Sequence, residues 1–283
     1  MKIIPYDRIA KPSHFGYRGW FGYNPNIEIV DSLDKSDYIW YCAWGDSEEL
    51  SEDIRRIEED YDKKCIFVIQ SDWSYVPVTG KGFYFTTNIN TVSDCYQLEI
   101  PYTYHSSMHW MLAGGIQRGI RKWHASFQGS FHTNHNRKKL VQLASDRIYI
   151  KECDGWDAAK REEWHVLEEH SELIRDSAFT LCPRGHGPSS IRVCEAIFRH
   201  SIPVLLDDHS RLFGNPLSFC VRSTLELDDI SYIKVAIDLA MSEFQERHKE
   251  MDQFLNDYLL EDYHCGCNGT LGFTERIRRE VTK

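Results

Sequence analysis

The chain of 283 residues carries 33 Lys and Arg against 43 Asp and Glu, a formal net charge of −10. That balance excludes general binding to nucleic acid or to anionic membranes and leaves room only for a local basic pocket. At 42% hydrophobic and 27% charged the composition is that of an ordinary globular protein, long enough for one large domain or two of about 140 residues.

The start, MKIIPYDRIAKPSH, has no apolar h-region, and no run approaches the ~18 apolar residues of a membrane span. Several of the nine cysteines (Cys42, Cys65, Cys182, Cys194, Cys220) sit in apolar runs, which reads as reduced, buried thiols and a cytoplasmic setting. The cluster His264-Cys265-Gly266-Cys267 offers three metal ligands but no second half elsewhere, so a structural loop is the simpler reading.

In chain order, the patterning predicts strands at 1–6, 27–31, 38–44, 65–71, 83–87 and 97–101, with an amphipathic helix at 47–61. The second half predicts strands at 147–152, 177–182, 201–206 and 218–222, and helices at 136–145, 160–176, 189–200 and 229–246. Near-continuous apolar strands such as CIFVI and IPVLL suit a parallel sheet covered on both faces, and the alternation implies βαβ units. The polar stretch GSFHTNHNR (129–137) is the candidate hinge. The expected architecture is α/β, with two Rossmann-like domains at 1–128 and 129–283 facing across a cleft; a single extended sheet is the alternative. Either way, ligands should gather at the carboxyl ends of strands.

The most informative stretch is SAFTLCPRGHGPSSIRVCEAIFRHSIPVLLDD (177–208). Gly185-His186-Gly187-Pro188-Ser189-Ser190 nearly spells the dinucleotide fingerprint, with Asp207 in place to clamp a ribose. NAD binding by an oxidoreductase is therefore one reading. Gly185 and Gly187 would permit close backbone approach, Ser189 is a natural N-cap, and Arg184 adds a fixed positive fork for a phosphate. A plain serine-capped turn with Arg184 in solvent is the alternative. Glu195 lies about 40° of helical rotation from Ile191 and so borders the buried stripe. A carboxylate there needs a partner: sugar hydroxyls, or an ion pair with Arg192 or Arg199.

These residues resemble the signature of the exostosin-like glycosyltransferases of family 47. The matching positions are Cys182, Pro183, Gly185, Ser189, Ser190, Arg192, Glu195, Ala196, Ile202, Pro203 and Val204. FQGSFHTNHNRKKLVQLA (127–144), LEIPYTY (98–104) and SDWSY (71–75) extend the similarity. The compact chain is most similar to the short members of large algal viruses. The resemblance implies a GT-B fold of two Rossmann-like domains, a UDP-sugar bound in the C-terminal half, and inverting transfer to a glycan hydroxyl. Xylose is the favoured sugar on the viral similarity, and the final segment TERIRREVTK is the candidate helix crossing back to the first domain.

Inverting transfer needs a base for the acceptor hydroxyl and positive charge at the leaving diphosphate. Asp72, ending the strand CIFVIQS, is the candidate base, with His14 and Asp46 in reserve and a turn-capping role as the alternative. Arg184 and the amides around Ser189 and Ser190, with Arg137 beside them, are the candidates for the diphosphate, and Glu195 for the ribose. The aromatic loop SHFGYRGWFGY (13–23) offers His14, Tyr17 and Trp20, with Trp73, to an acceptor; packing within the loop is the alternative. No Asp-x-Asp follows a strand, so the expected chemistry uses no metal or other cofactor. A non-catalytic nucleotide-sugar-binding protein is the third reading.

Overall fold

The computed structural model describes residues 1–6, 26–44, 48–62, 64–70, 82–86, 96–99, 121–153, 164–187, 190–207, 212, 215–227, 229–260 and 271–283. The strands are β1 (Lys2–Pro5), β2 (Glu28–Ile29), β3 (Tyr38–Trp44), β4 (Lys64–Gln70), β5 (Phe83–Thr86), β6 (Tyr96–Glu99), β7 (Trp123–Gly129), β8 (Ile148–Glu152), β9 (Ser177–Pro183), β10 (Ile202–Leu206) and β11 (Val221–Ser223). The α-helices are α1 (Glu48–Asp60), α2 (Trp164–Arg175), α3 (Arg192–Phe198), α4 (Ser231–Ser242), α5 (Phe244–Phe254) and α6 (Leu271–Val281).

The chain divides into two units, one of Met1–Ile100, Arg211–Gly214 and Asn256–Lys283, the other of Pro101–Ser210 and Asn215–Leu255. Each holds one sheet. The first runs β2-β1-β3-β4-β5-β6 and the second β11-β10-β9-β7-β8, with every pairing parallel. Two Rossmann-like α/β units, the composition of the GT-B class, are therefore present, and the single extended sheet is not.

The division differs from the expected one. β7 pairs with β8 and β9 inside the second sheet, so residues 123–128 belong to the second unit, and the polar stretch 129–137 is no hinge. That stretch continues β7 into a 3-10 helix, His135–Leu143, begun by Asn134, whose side chain accepts from the Asn136 amide at 3.0 Å. The terminal segment, with α6, groups with the first unit.

In the first unit α1 buries Leu50, Ile54 and Ile57 at helical spacing. Its buried acids find phenols: Tyr41 donates to Asp53 Oδ2 at 3.0 Å and Tyr84 to Glu58 Oε1 at 2.8 Å. Burial, with Asp53 alongside, raises the Tyr41 pKa and keeps that phenol protonated. Phe67 stacks on Tyr84 with ring centroids 4.9 Å apart.

In the second unit β9 and β10 are buried along their whole length, as expected of central parallel strands. β7 is also internal to the sheet although it carries Ser126 and Gln128, both buried; Ser177 Oγ meets Ser126 Oγ at 2.7 Å. The five cysteines expected in the core are buried, and burial pushes Cys42 up to about 12. Among the described residues no helix is long and apolar enough to cross a membrane.

Candidate functional site

Within the second sheet β7 is flanked by β8 on one side and β9 on the other. The strand order thus reverses at the β7–β9 pair, and a doubly wound sheet opens a crevice at the carboxyl ends of such a pair. β7 ends at Gly129 and β9 at Pro183. The sequence motif at 183–187 leads out of this place.

Arg137, from the 3-10 helix after β7, spans the two strand ends. Its Nη1 donates to Ser130 O at 3.0 Å, its Nη2 to Pro183 O at 2.9 Å, and its Nε to Arg184 O at 2.9 Å. The guanidinium also sits 5.7 Å from the centre of the Phe127 ring. Arg137 therefore acts as a strap across the switch point, bringing positive charge there through a side chain committed to carbonyls.

Arg184 is half-buried beyond the end of β9. Its amide donates to Leu206 O at 3.2 Å, and its Nη2 donates to His186 O at 3.5 Å. Its Nε is buried without a partner among the described residues. A Cβ placed on Gly185 would merely touch Arg137 Nη2 at 3.5 Å, so the protein's own packing does not demand glycine there. Gly129 is the constrained glycine: a Cβ would stand 3.0 Å from Phe127 Cζ and 3.3 Å from Arg192 Nη2.

That opening lets α3 dock. Arg192, its first residue, donates from Nη2 to Gln128 O at 2.9 Å and from Nη1 to Glu195 Oε2. Glu195 is 5% exposed and faces His170 of α2, whose Nε2 lies 3.2 Å from the same Oε2; Arg192 Nη1 also meets that ring nitrogen. Burial, with the charges of Arg192 and Arg199, drives the His170 pKa well below its ordinary value, so the imidazole is neutral. Of the partners the sequence allowed for Glu195, the Arg192 ion pair is formed. Among the described residues the contacts of this carboxylate fall on Oε2.

Other expected positions are placed differently. α3 starts at Arg192 rather than near 189, and it is Ser190 whose hydroxyl accepts from the Arg192 amide at 3.3 Å. Ser190 and Gly187 are buried. Asp207, at the end of β10 with φ 59°, accepts from the Thr224 hydroxyl and from the Leu225 amide at 2.9 Å. It caps the loop after β11 and is not poised as a ribose clamp. Asp72, Trp73, His14, Tyr17, Trp20, Asp46, Ser189 and the 264–267 cluster lie outside the described residues. Sequence reading did not single out His170 or Gln128, which reach the site from other elements.

The second unit is thus a doubly wound α/β sheet whose switch point carries two arginines, with a buried carboxylate on the adjoining helix. The sequence profile of the family described as Exostosin GT47 domain matches residues 53–219. That is more than half of the chain, and the chain belongs to this glycosyltransferase family. A probable glycosyltransferase of Arabidopsis thaliana is 30% identical over 105 residues, covering 35% of this chain and 19% of that protein. The chain thus corresponds to a small part of that relative's length. The crystal structure of an alpha1,3-fucosyltransferase shares 13% identity at a TM-score of 0.41, over 89% of this chain and 80% of that one.

Proposed function

We propose that the protein is an inverting glycosyltransferase that moves a sugar, xylose in first preference, from a UDP-sugar to a hydroxyl of a glycan acceptor. The observation that carries this reading is the convergence of Arg184, Gly185, the Arg137 strap and the buried Glu195 carboxylate on the second sheet's switch point. Oε1 of Glu195 would accept from a ribose hydroxyl while Oε2 stays clamped by Arg192 and His170. Arg184 would place its guanidinium on the diphosphate, and Gly185, having no side chain, would let the backbone approach the phosphates. Positive charge fixed in the protein would stabilise the departing UDP with no metal at the reacting centre. Asp72 would take the proton of the acceptor hydroxyl, with Tyr17, Trp20 and Trp73 stacking on acceptor sugar rings and His14 beside them.

The test has two stages. Thermal-shift measurements with UDP, GDP, UDP-sugars and NAD(P) should show stabilisation by UDP and UDP-sugars; stabilisation by NAD alone would replace this reading with the oxidoreductase. UDP release in the presence of acceptor glycans then separates a transferase from a non-catalytic binder. Asp72→Asn should abolish release while leaving UDP affinity intact, and unchanged turnover would eliminate Asp72 as the base.

A further inference from the structure

At the opposite, amino end of the second sheet, three side chains form a cluster that the sugar-transfer reading does not use. His200 lies in the turn between α3 and β10. His248 and Asp252 stand one helical turn apart on α5. His200 Nδ1 is 2.7 Å from Asp252 Oδ1, and His248 Nδ1 is 3.2 Å from Oδ2. The two imidazoles stack with centroids 5.9 Å apart.

We propose that His200, His248 and Asp252 form a structural site for a divalent transition metal, zinc by its ligand chemistry, that clamps α5 onto the α3–β10 turn. One ligand atom from each residue lies within 4.8 Å of the others. Tetrahedral zinc with N and O ligands at ~2.0–2.2 Å holds neighbouring donors about 3.3 Å apart. The two separations run to different oxygens of the carboxylate, His200 to Oδ1 and His248 to Oδ2, so a metal held through one oxygen requires the Asp252 carboxylate to turn and the His200 ring to draw back. Two ligands four residues apart on one helix face, with a third from a distant turn, is a familiar spacing for such sites.

His200 supplies a second observation. It has φ 56° just past the end of α3, where Ser201 N bonds Ala196 O at 3.0 Å. That left-handed helix-end position favours glycine and admits histidine more readily than most side chains, and it turns the ring toward Asp252 of α5. Arg121 Nη2 fixes the same residue by donating to His200 O at 3.0 Å. Its charge, close enough to feel Asp252, weakens the affinity for a cation without blocking the ligand atoms.

The proton balance is simple. Without metal, the Nδ1 atoms of both imidazoles face the carboxylate. A metal held through Nδ1 requires the ring proton to sit on Nε2, which carries no hydrogen bond among the described residues. Two imidazoles and a carboxylate leave a fourth position for water, and Asp252, with its side chain 39% exposed, lies where solvent can supply one. This site is independent of the sugar-transfer reading, because that chemistry lies at the carboxyl ends of the strands.

The test uses the whole chain in a Cys265→Ser, Cys267→Ser background, which removes the competing thiolates of the 264–267 cluster. Chelator-stripped protein is titrated with Co²⁺ and then with Zn²⁺. The expected result is a single equivalent of bound Co²⁺ with visible d–d bands and no sulfur charge-transfer band, displaced by Zn²⁺, and a Tm that rises with zinc. His248→Ala and Asp252→Asn should each weaken uptake by about tenfold or more. His200→Gly, which suits the backbone and should fold, should lose it. No cobalt spectrum in the background protein, or uptake unchanged in the three variants, would overturn the proposal.

Discussion

Removing the Glu195 carboxylate is the sharpest perturbation of the second unit. Its side chain is 6% exposed and that of Arg192 15%. In Glu195→Ala the guanidinium would remain buried, facing a neutral His170, with Gln128 O at 2.9 Å as its remaining partner. Breaking a buried ion pair from one side costs about 3–5 kcal/mol; Arg192 keeps some contact with solvent, so the lower end applies, about 3 kcal/mol. Arg192→Ala leaves a carboxylate that still has His170 Nε2, and should cost about 2–3 kcal/mol. The double variant strands neither charge, so its loss should fall short of the sum by about 1–3 kcal/mol. Native-state hydrogen exchange of the β7 and β9 amides measures the stability of the second unit directly, without assuming that both units unfold together. A double variant whose loss equals the sum within about 0.5 kcal/mol would refute the coupling.

Arg137→Lys should cost about 2–4 kcal/mol, because an ammonium cannot reproduce the fork that joins three carbonyls; a thermal melt matching the parent would dissolve the strap. His170 is neutral when folded, and its folded pKa lies below the ordinary value near 6.5. Below about pH 6.5 the unfolded chain binds the extra proton, so stability is complete above that pH and falls as pH drops through it. His170→Gln should flatten this slope between pH 5 and 7, and an unaltered slope in urea titrations would contradict the assignment. Asp207→Asn, which tolerates the left-handed backbone and keeps an acceptor for Leu225, should cost about 1 kcal/mol or less, and Asp207→Ala about 2–3. Loss of nucleotide affinity in a fully stable Asn variant would reinstate Asp207 as a ribose contact.

Much of the fold was legible because its strands announce themselves. β3, β4, β9 and β10 are apolar runs of the right length, and they lie within a residue or so of where the pattern puts them. β7 was missed because WHASFQG alternates apolar and polar residues in a way that suits neither an exposed nor a buried strand. Its polar positions are accommodated by Ser177 and by the Arg192 bond to the Gln128 carbonyl. With β7 unseen, the boundary fell inside the second sheet. The segment 229–246 read as one helix, but the chain breaks at Glu243 and continues as α5.

For the site, local spacing was enough to show that Glu195 could not face water and that Arg192 was a possible partner. It could not reveal His170, which lies 25 residues away in sequence on α2, nor that Arg137 is spent on carbonyls. Asp207 illustrates the same limit from the other side. Its distance from the glycines matched a ribose contact, while its bonds go to a loop that a fingerprint cannot see.

The return of Asn256–Lys283 to the first unit has a consequence for how the molecule is made. During synthesis the first sheet emerges early, yet the helix that completes its unit is translated only after the whole of the second. The second unit can close as soon as Leu255 has left the ribosome, while the first must wait with part of its core unshielded. A nascent chain stalled between these points would hold one finished half and one unfinished half, and chaperone capture or proteolysis should concentrate on the latter. For the same reason, a fragment beginning at residue 129 would lose an internal strand of its sheet, whereas one spanning 101–255 would keep the second sheet whole.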